Sequence, residues 1–360
     1  MKDRIIILSL LTLSGLLFSA CQTIDIFPRE KACVELVELS AVMNDRPETR
    51  TPIEGISYPF SVAVWASTTS CSYPNVGKNG TSGVSYQVDK HLTATFNQSS
   101  TTLNGPDDSG VRYPYNEGGD PVFANVYFVG LYPSSGWSTA SGTNAAFTFD
   151  GSKDAMYAPQ VSGNGDPATS APTLTFYHLL TYLRFNIIAE SDAAQNAWGR
   201  LTSIKLTKQN NGASNPMNNL SISLDSPVPA NIGAIEAKST FTSSVSQLSL
   251  YANGTNTVFP ASAYTIPTSA ATPAAYVICA PVTASDAVGT NEYTLTIDTE
   301  KRAPVIVGVN LKSGLSTYYS GSTMGKEFTV NLTFTLNHIA ASATVNGWTT
   351  GGIGKEDVSE

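Results

Sequence analysis

A chain of 360 residues with 13% charged side chains and a formal net charge of −8 has no cluster of Lys and Arg. That excludes the concentrated positive charge on which nucleic-acid binding and basic membrane-surface patches depend. A hydrophobic fraction of 41%, punctuated by 28 Gly and 20 Pro, is ample for two cores and suits an exported β-rich protein with a polar, weakly charged surface.

The chain opens with Lys2 and Arg4, then an uncharged run from Ile5 to Phe18, closed by Ser19-Ala20-Cys21. This is the pattern of a bacterial export signal. The run is about 14 residues, whereas a bilayer span needs roughly 20. Its small-small-Cys ending resembles a lipobox, at which the new N-terminal thiol of Cys21 receives lipid. Phe18 departs from the usual Leu, and a plain secretory signal cut nearby is the alternative. Several acyl chains, each contributing about 0.8 kcal/mol per buried CH₂, anchor a protein without any membrane-crossing helix. Cys33, Cys71 and Cys279 remain, which allow one bridge and no disulfide framework.

Residues 22–30 read as a tether, followed by an imperfect alternation from Ala32 to Leu39. There Val34 and Leu36 share one face, with Cys33, Val37 and Leu39 on the other. Asn44 to Pro52 carries two prolines and no apolar residue, so an exposed loop is expected. It presents Arg46 and Arg50 on accessible backbone, as a trypsin-like protease requires. Pro47 follows Arg46 and restricts the chain there, which favours cleavage after Arg50.

From Ile56 the signals are strands. Phe60, Val62 and Val64 alternate with Ser61, Ala63 and Trp65, and Leu92 to Phe96 and Val122 to Tyr132 follow. The apolar run Leu174 to Ile188 reads as two strands joined near His178 to Thr181. A boundary is expected after Glu190, and Asp192 to Trp198 is the best single helical turn. A second series spans Leu201–Thr207, Leu220–Leu224, Leu248–Tyr251, Tyr276–Val282, Tyr293–Ile297 and Val305–Leu311. Short strands with Gly, Pro and Asn spacers predict an all-β fold of two tandem sandwiches, residues 51–190 and 191–360.

Near the end Phe328, Val330, Leu332, Phe334 and Leu336 alternate with Thr329, Asn331, Thr333, Thr335 and Asn337, predicting a strand with one apolar face. Ile339 to Val345 is a second strand, stopped by Asn346-Gly347-Trp348. The ensemble resembles the fimbrillin family, pilus subunits and related surface lipoproteins of Bacteroidetes. The residues that carry the resemblance are the leader ending at Cys21, the loop with Arg46 and Arg50, and Phe60 to Trp65. Leu174 to Leu180 leading into Leu183-Arg184-Phe185, and Gly325 to Val330 leading to Gly347-Trp348, complete it; the family often has Tyr where Phe328 stands.

The resemblance implies two transthyretin-like β-sandwich domains, export as a lipoprotein, and a place at the cell outer membrane and cell surface. It implies cleavage in the early loop by a trypsin-like protease, release of lipid and first strand (residues 1–21 leader, 22–50 tether and strand), and a groove that a C-terminal strand of the next pilus subunit fills. Within 326–348, Phe328, Val330, Leu332, Phe334 and Leu336 would be the plug, at about 1.5–3 kcal/mol each as an upper figure. Such a strand serves its own sheet equally well, and both roles hold if one of the last two strands stays while the other swings out.

Catalytic and cofactor motifs are missing: no G-x-S-x-G, H-E-x-x-H, P-loop or dinucleotide fingerprint occurs. No cofactor or metal is expected and no enzyme activity. Asp107-Asp108 and Glu117 to Asp120 sit among turn residues, where acidic side chains favour solvation. His178, in an apolar run, reads as a buried core histidine. Trp137 and Tyr319 lie in loop-like stretches and are candidates for stacking on sugar rings, which would make the chain a lipid-anchored adhesin for a host or glycan receptor, with packing between loops as their alternative role.

Overall fold

A computed structural model of the chain describes residues 37–43, 59–73, 90–97, 100–103, 113, 124–138, 143–166, 169–209, 217–269, 272–282, 291–311 and 322–346. The first half supplies β1 (Glu38–Met43), β2 (Phe60–Ser67), β3 (Lys90–Phe96), β4 (Ser100–Thr102), β5 (Val126–Tyr132), β6 (Trp137–Ser138), β7 (Asn144–Thr148), β8 (Met156–Gly163) and β9 (Thr173–His178). Next come β10 (Thr181–Ala189), α1 (Asp192–Trp198), β11 (Leu201–Gln209), β12 (Asn219–Ser223), α2 (Ile232–Lys238) and β13 (Ser239–Thr242). The chain continues through β14 (Leu248–Ala252), β15 (Val258–Phe259), β16 (Ala275–Cys279), β17 (Tyr293–Thr299), β18 (Val305–Val309), β19 (Lys326–Phe334) and β20 (Ile339–Asn346).

The first sheet runs β3-β2-β5-β8-β9-β1-β4. β3 and β4 stand at its opposite ends, which a flat sheet would hold roughly 29 Å apart at about 4.8 Å per strand. Yet Phe96 and Ser100 are only four residues apart, a reach of at most about 14 Å. The sheet therefore curls until its ends approach. Inside it Val37, Leu39, Val62, Val64, Phe96, Phe128, Leu174 and Phe176 form one core. The second sheet runs β18-β17-β11-β14-β16-β10-β19-β20, with β15 paired to β14. Its end strands β18 and β20 lie side by side, so it curls in the same way. The fold is all-β, with two nearly closed sandwiches.

A third sheet, β13-β12-β7-β6, joins the two halves of the chain. β7 and β12 pair antiparallel over five residues, from Asn144↔Ser223 to Thr148↔Asn219. Register places Trp137, Phe147, Leu220 and Phe241 in one row across the four strands. All four pack on the larger core. That core reaches the outer face of the first sheet, where Ala63 and Trp65 are buried. β2 was expected to present alternate faces, and it does; both are covered, so nearly every residue is buried.

The chain passes from the first sheet to the second ahead of the boundary expected after Glu190. β9 belongs to the first sheet and β10 to the second, so the chain changes sheets at Leu179-Leu180 and not after Glu190. Both leucines are fully buried, and the continuous apolar run hides the crossing because each half feeds a different core. α1 forms where expected: the Ser191 hydroxyl accepts from Ala194 N–H at 3.2 Å, and Gly199 ends the helix at φ +73°. α2 went unanticipated, since it buries only Ile235 where α1, of the same length, buries Ala194 and Trp198. β8 was also missed because Pro159 interrupts it. The structure places Pro159 and Gln160 opposite the single residue Val129, at a bulge where a missing N–H costs no ladder bond. Cys71 and Cys279 carry free thiols, and Cys33 lies outside the described residues.

Candidate functional site

β1 is an interior strand whose two neighbours are both remote in sequence. It runs parallel to β9, with Ser40↔Thr173 through Met43↔Phe176, and antiparallel to β4, with Glu38↔Thr102 through Ser40↔Ser100. Leu103 N–H donates to the Val37 carbonyl at 2.8 Å, and Ser40 N–H donates to the Pro172 carbonyl at 3.0 Å. Val37, Leu39 and Ala41 are at most 1% exposed, while Val42 on the other face is 42% exposed. This is the face on which alternation placed Val37 and Leu39, extended by Ala41; the strand itself begins later and ends at Met43.

The segment before β1 carries Cys21 and the segment after it carries Arg46 and Arg50; all three lie outside the described residues. Without β1, β9 and β4 would each lose a hydrogen-bonding partner, and a trough lined by Leu103, Leu174 and Phe176 would open beside them. Leu103 lies far in the chain from Leu174 and Phe176, and only the strand order brings it beside them.

The C-terminal hairpin has one central and one edge strand. β19 pairs parallel with β10, from Thr181↔Lys326 to Ala189↔Phe334, and antiparallel with β20, from Glu327↔Asn346 to Phe334↔Ile339. Phe328, Val330, Leu332 and Phe334 are fully buried in their own sandwich. Leu336 does not continue the strand: β19 ends at Phe334, and Leu336 sits in the following turn with its side chain 47% exposed. On the polar face, Arg184 Nη1 donates to Glu327 Oε1 at 3.0 Å and Asn186 Nδ2 to Asn331 Oδ1 at 2.8 Å. Among the described residues β20 pairs only with β19; on it Ile339 is buried and the small Ala341 and Ala343 are half-buried.

The remaining candidates scatter. Trp137 is half-buried in β6, its ring stacked on Phe147 at 5.0 Å between centroids; Tyr319 lies outside the described residues. His178 is 7% exposed and its Nδ1 lies 2.5 Å from Asp154 Oδ2. Among the described residues no group of three or more His, Cys, Asp or Glu is placed to hold a metal, and no helix is long and apolar enough to cross a membrane.

No protein-family model matches the chain. No curated protein matches it either. Among solved structures it is similar to a candidate cell adhesion protein from Bacteroides uniformis, at 15% identity and a TM-score of 0.48, covering 87% of this chain and 99% of that one. A candidate cell adhesion protein from Bacteroides ovatus matches at 14% identity and a TM-score of 0.46, covering 89% and 99%. A fimbrial protein from Bacteroides vulgatus matches at 14% identity and a TM-score of 0.41, covering 87% and 99%.

Proposed function

We propose that the chain is a structural subunit of a bacterial surface fimbria that supports adhesion. In this reading the leader directs export and Cys21 is lipidated at the outer membrane. A trypsin-like protease then cuts after Arg50, and subunits polymerise by strand donation.

The observation that supports it is the position of β1. A strand whose neighbours are both distant in sequence, preceded by a leader and followed by an arginine-bearing loop, leaves as a unit once that loop is cut. Its loss would uncover backbone donors and acceptors together with an apolar trough, and strand addition satisfies both.

Magnitudes favour β20 over β19 as the strand given to the next subunit. Withdrawing β19 would expose Phe328, Val330, Leu332 and Phe334 at about 1.5–3 kcal/mol each, and break pairing on two sides. Withdrawing β20 breaks one ladder and uncovers mostly alanines. The plug assigned to Phe328 through Leu336 thus passes to Ile339, Ala341 and Ala343.

Treatment of the purified protein with a trypsin-like protease should yield an N-terminus at Thr51 and oligomers of increasing length. A cut protein that stays monomeric, together with unaltered behaviour after deletion from Ile339 onward, would remove polymerisation from the account.

A further inference from the structure

The turn between β19 and β20 is tied down on one side only. Trp198 Nε1–H donates to the Thr335 carbonyl at 2.6 Å, and its ring meets Phe334 edge to face at 5.4 Å. The Glu190 carboxylate accepts from Leu336 N–H at 2.8 Å, while Glu190 N–H donates to the Phe334 carbonyl at 3.0 Å. Arg302 donates from Nη2 to the Leu336 carbonyl at 2.5 Å and lies over the Trp198 ring at 4.2 Å. Three side chains from three places in the chain therefore converge on residues 334–336, the last residue of β19 and the two after it.

Among the described residues nothing comparable holds β20, and its hydrogen bonds run to β19 alone, including that from Thr344 Oγ1 to the Thr329 carbonyl at 3.5 Å. β18 lies alongside without any backbone pairing between the two. Between knot and strand stand Asn337 and His338, both exposed, in a turn closed on itself: Thr335 N–H donates to the His338 carbonyl at 2.9 Å and His338 N–H to Thr335 Oγ1 at 3.1 Å.

We infer that Glu190, Trp198 and Arg302 form a stop that lets β20 separate from the second sandwich as a unit, hinged at Asn337 and His338, while β19 stays in place. A strand opening with its own low free energy beside a protected neighbour is local unfolding confined by where the cross-links end. The three residues are positioning groups: they touch the turn and not the face that a partner would meet. The inference concerns the intact single chain; its use in assembly rests on the fimbrial reading.

Hydrogen exchange of the uncut monomer, read by mass spectrometry, tests it. Amides of β20 bonded to β19 should exchange at least about tenfold faster than those β19 shares with β10, a difference of about 1.4 kcal/mol in opening free energy. Trp198→Phe keeps a ring and deletes the donor, and Glu190→Ala with Arg302→Ala removes the other two side-chain ties at the exposed turn. Each variant should speed exchange in Leu332 to Phe334 while leaving β11 and β17 at their original rates. Equal rates in β19 and β20 of the unaltered protein would overturn the inference. So would variants that speed the whole second sandwich together, as a merely structural role predicts, or that leave β19 unchanged. Intact protection with failed assembly would count against the fimbrial reading alone.

Discussion

At the scale of single residues, burial decides the chemistry. His91 stacks on Trp65 at 4.0 Å between centroids, and its Nε2–H donates to the Tyr73 carbonyl at 3.0 Å. Burial lowers its pKa below the ordinary 6.5, partly offset by that carbonyl. The unfolded chain therefore takes up the proton first as pH falls. Stability is intact above 6.5 and declines below it toward the folded value. His91→Gln keeps a donor and removes the titration, so its denaturation midpoint should vary less with pH between about 6.5 and 5 than that of the unaltered protein. The Cys279 thiol is fully buried and pushed up to about 12. Peptide mapping after a thiol reagent at neutral pH should find Cys279 unlabelled in the native protein and labelled after denaturation. Gly130 shows a different kind of constraint. A Cβ there would stand 2.5 Å from Phe176 Cζ, so Gly130→Ala must displace a ring of the first core and should cost about 1–3 kcal/mol in chemical denaturation.

At the scale of elements, β1 carries the argument. Leu39 is fully buried on the strand that lies between β9 and β4, so Leu39→Ala should cost about 2–5 kcal/mol of stability in the uncut protein. Once the early loop is cut and the first segment removed, the same substitution has nothing left to act on, and cut Leu39→Ala protein should melt with cut parent protein. How much of this was legible depended on local pattern. Alternation revealed β2 and β19, because each keeps an apolar face for five residues or more, while the run from Leu174 to Ile188 revealed β9 and β10 by its apolar and aromatic content. Alternation also placed Val37 and Leu39 on one face. The short strands β4, β6, β13 and β15 are two to four residues long, too few for any period to register. β8 was obscured by Pro159, whose bulge becomes evident only once Val129 stands opposite. Neither the parallel β1–β9 pairing nor the central place of β19 could be read from the chain, since register and strand order are set by contacts between distant segments.

At the scale of the whole molecule, the two sandwiches are joined by more than the Leu179-Leu180 crossing. The β7–β12 ladder draws one strand from each half into a shared sheet, and the row from Trp137 to Phe241 packs it on a core common to both. Forces along the molecule would thus pass through paired backbone as well as through one covalent link, which suits a subunit in a fibre. Phe147→Asp would place a charge in that row and should separate the halves before either sandwich unfolds, giving two thermal transitions where the parent gives one.

The central claim is that β1 is a replaceable occupant of a groove between β9 and β4. A labelled synthetic peptide covering Ile339 to Asn346 tests it most directly, offered to the protein before and after cleavage in the early loop. The account predicts no binding to the uncut chain, and saturable binding to the cut chain that rises as the fragment bearing Val37, Leu39 and Ala41 departs. A cut chain that keeps that fragment and ignores the peptide, or an uncut chain that binds it equally well, would contradict it.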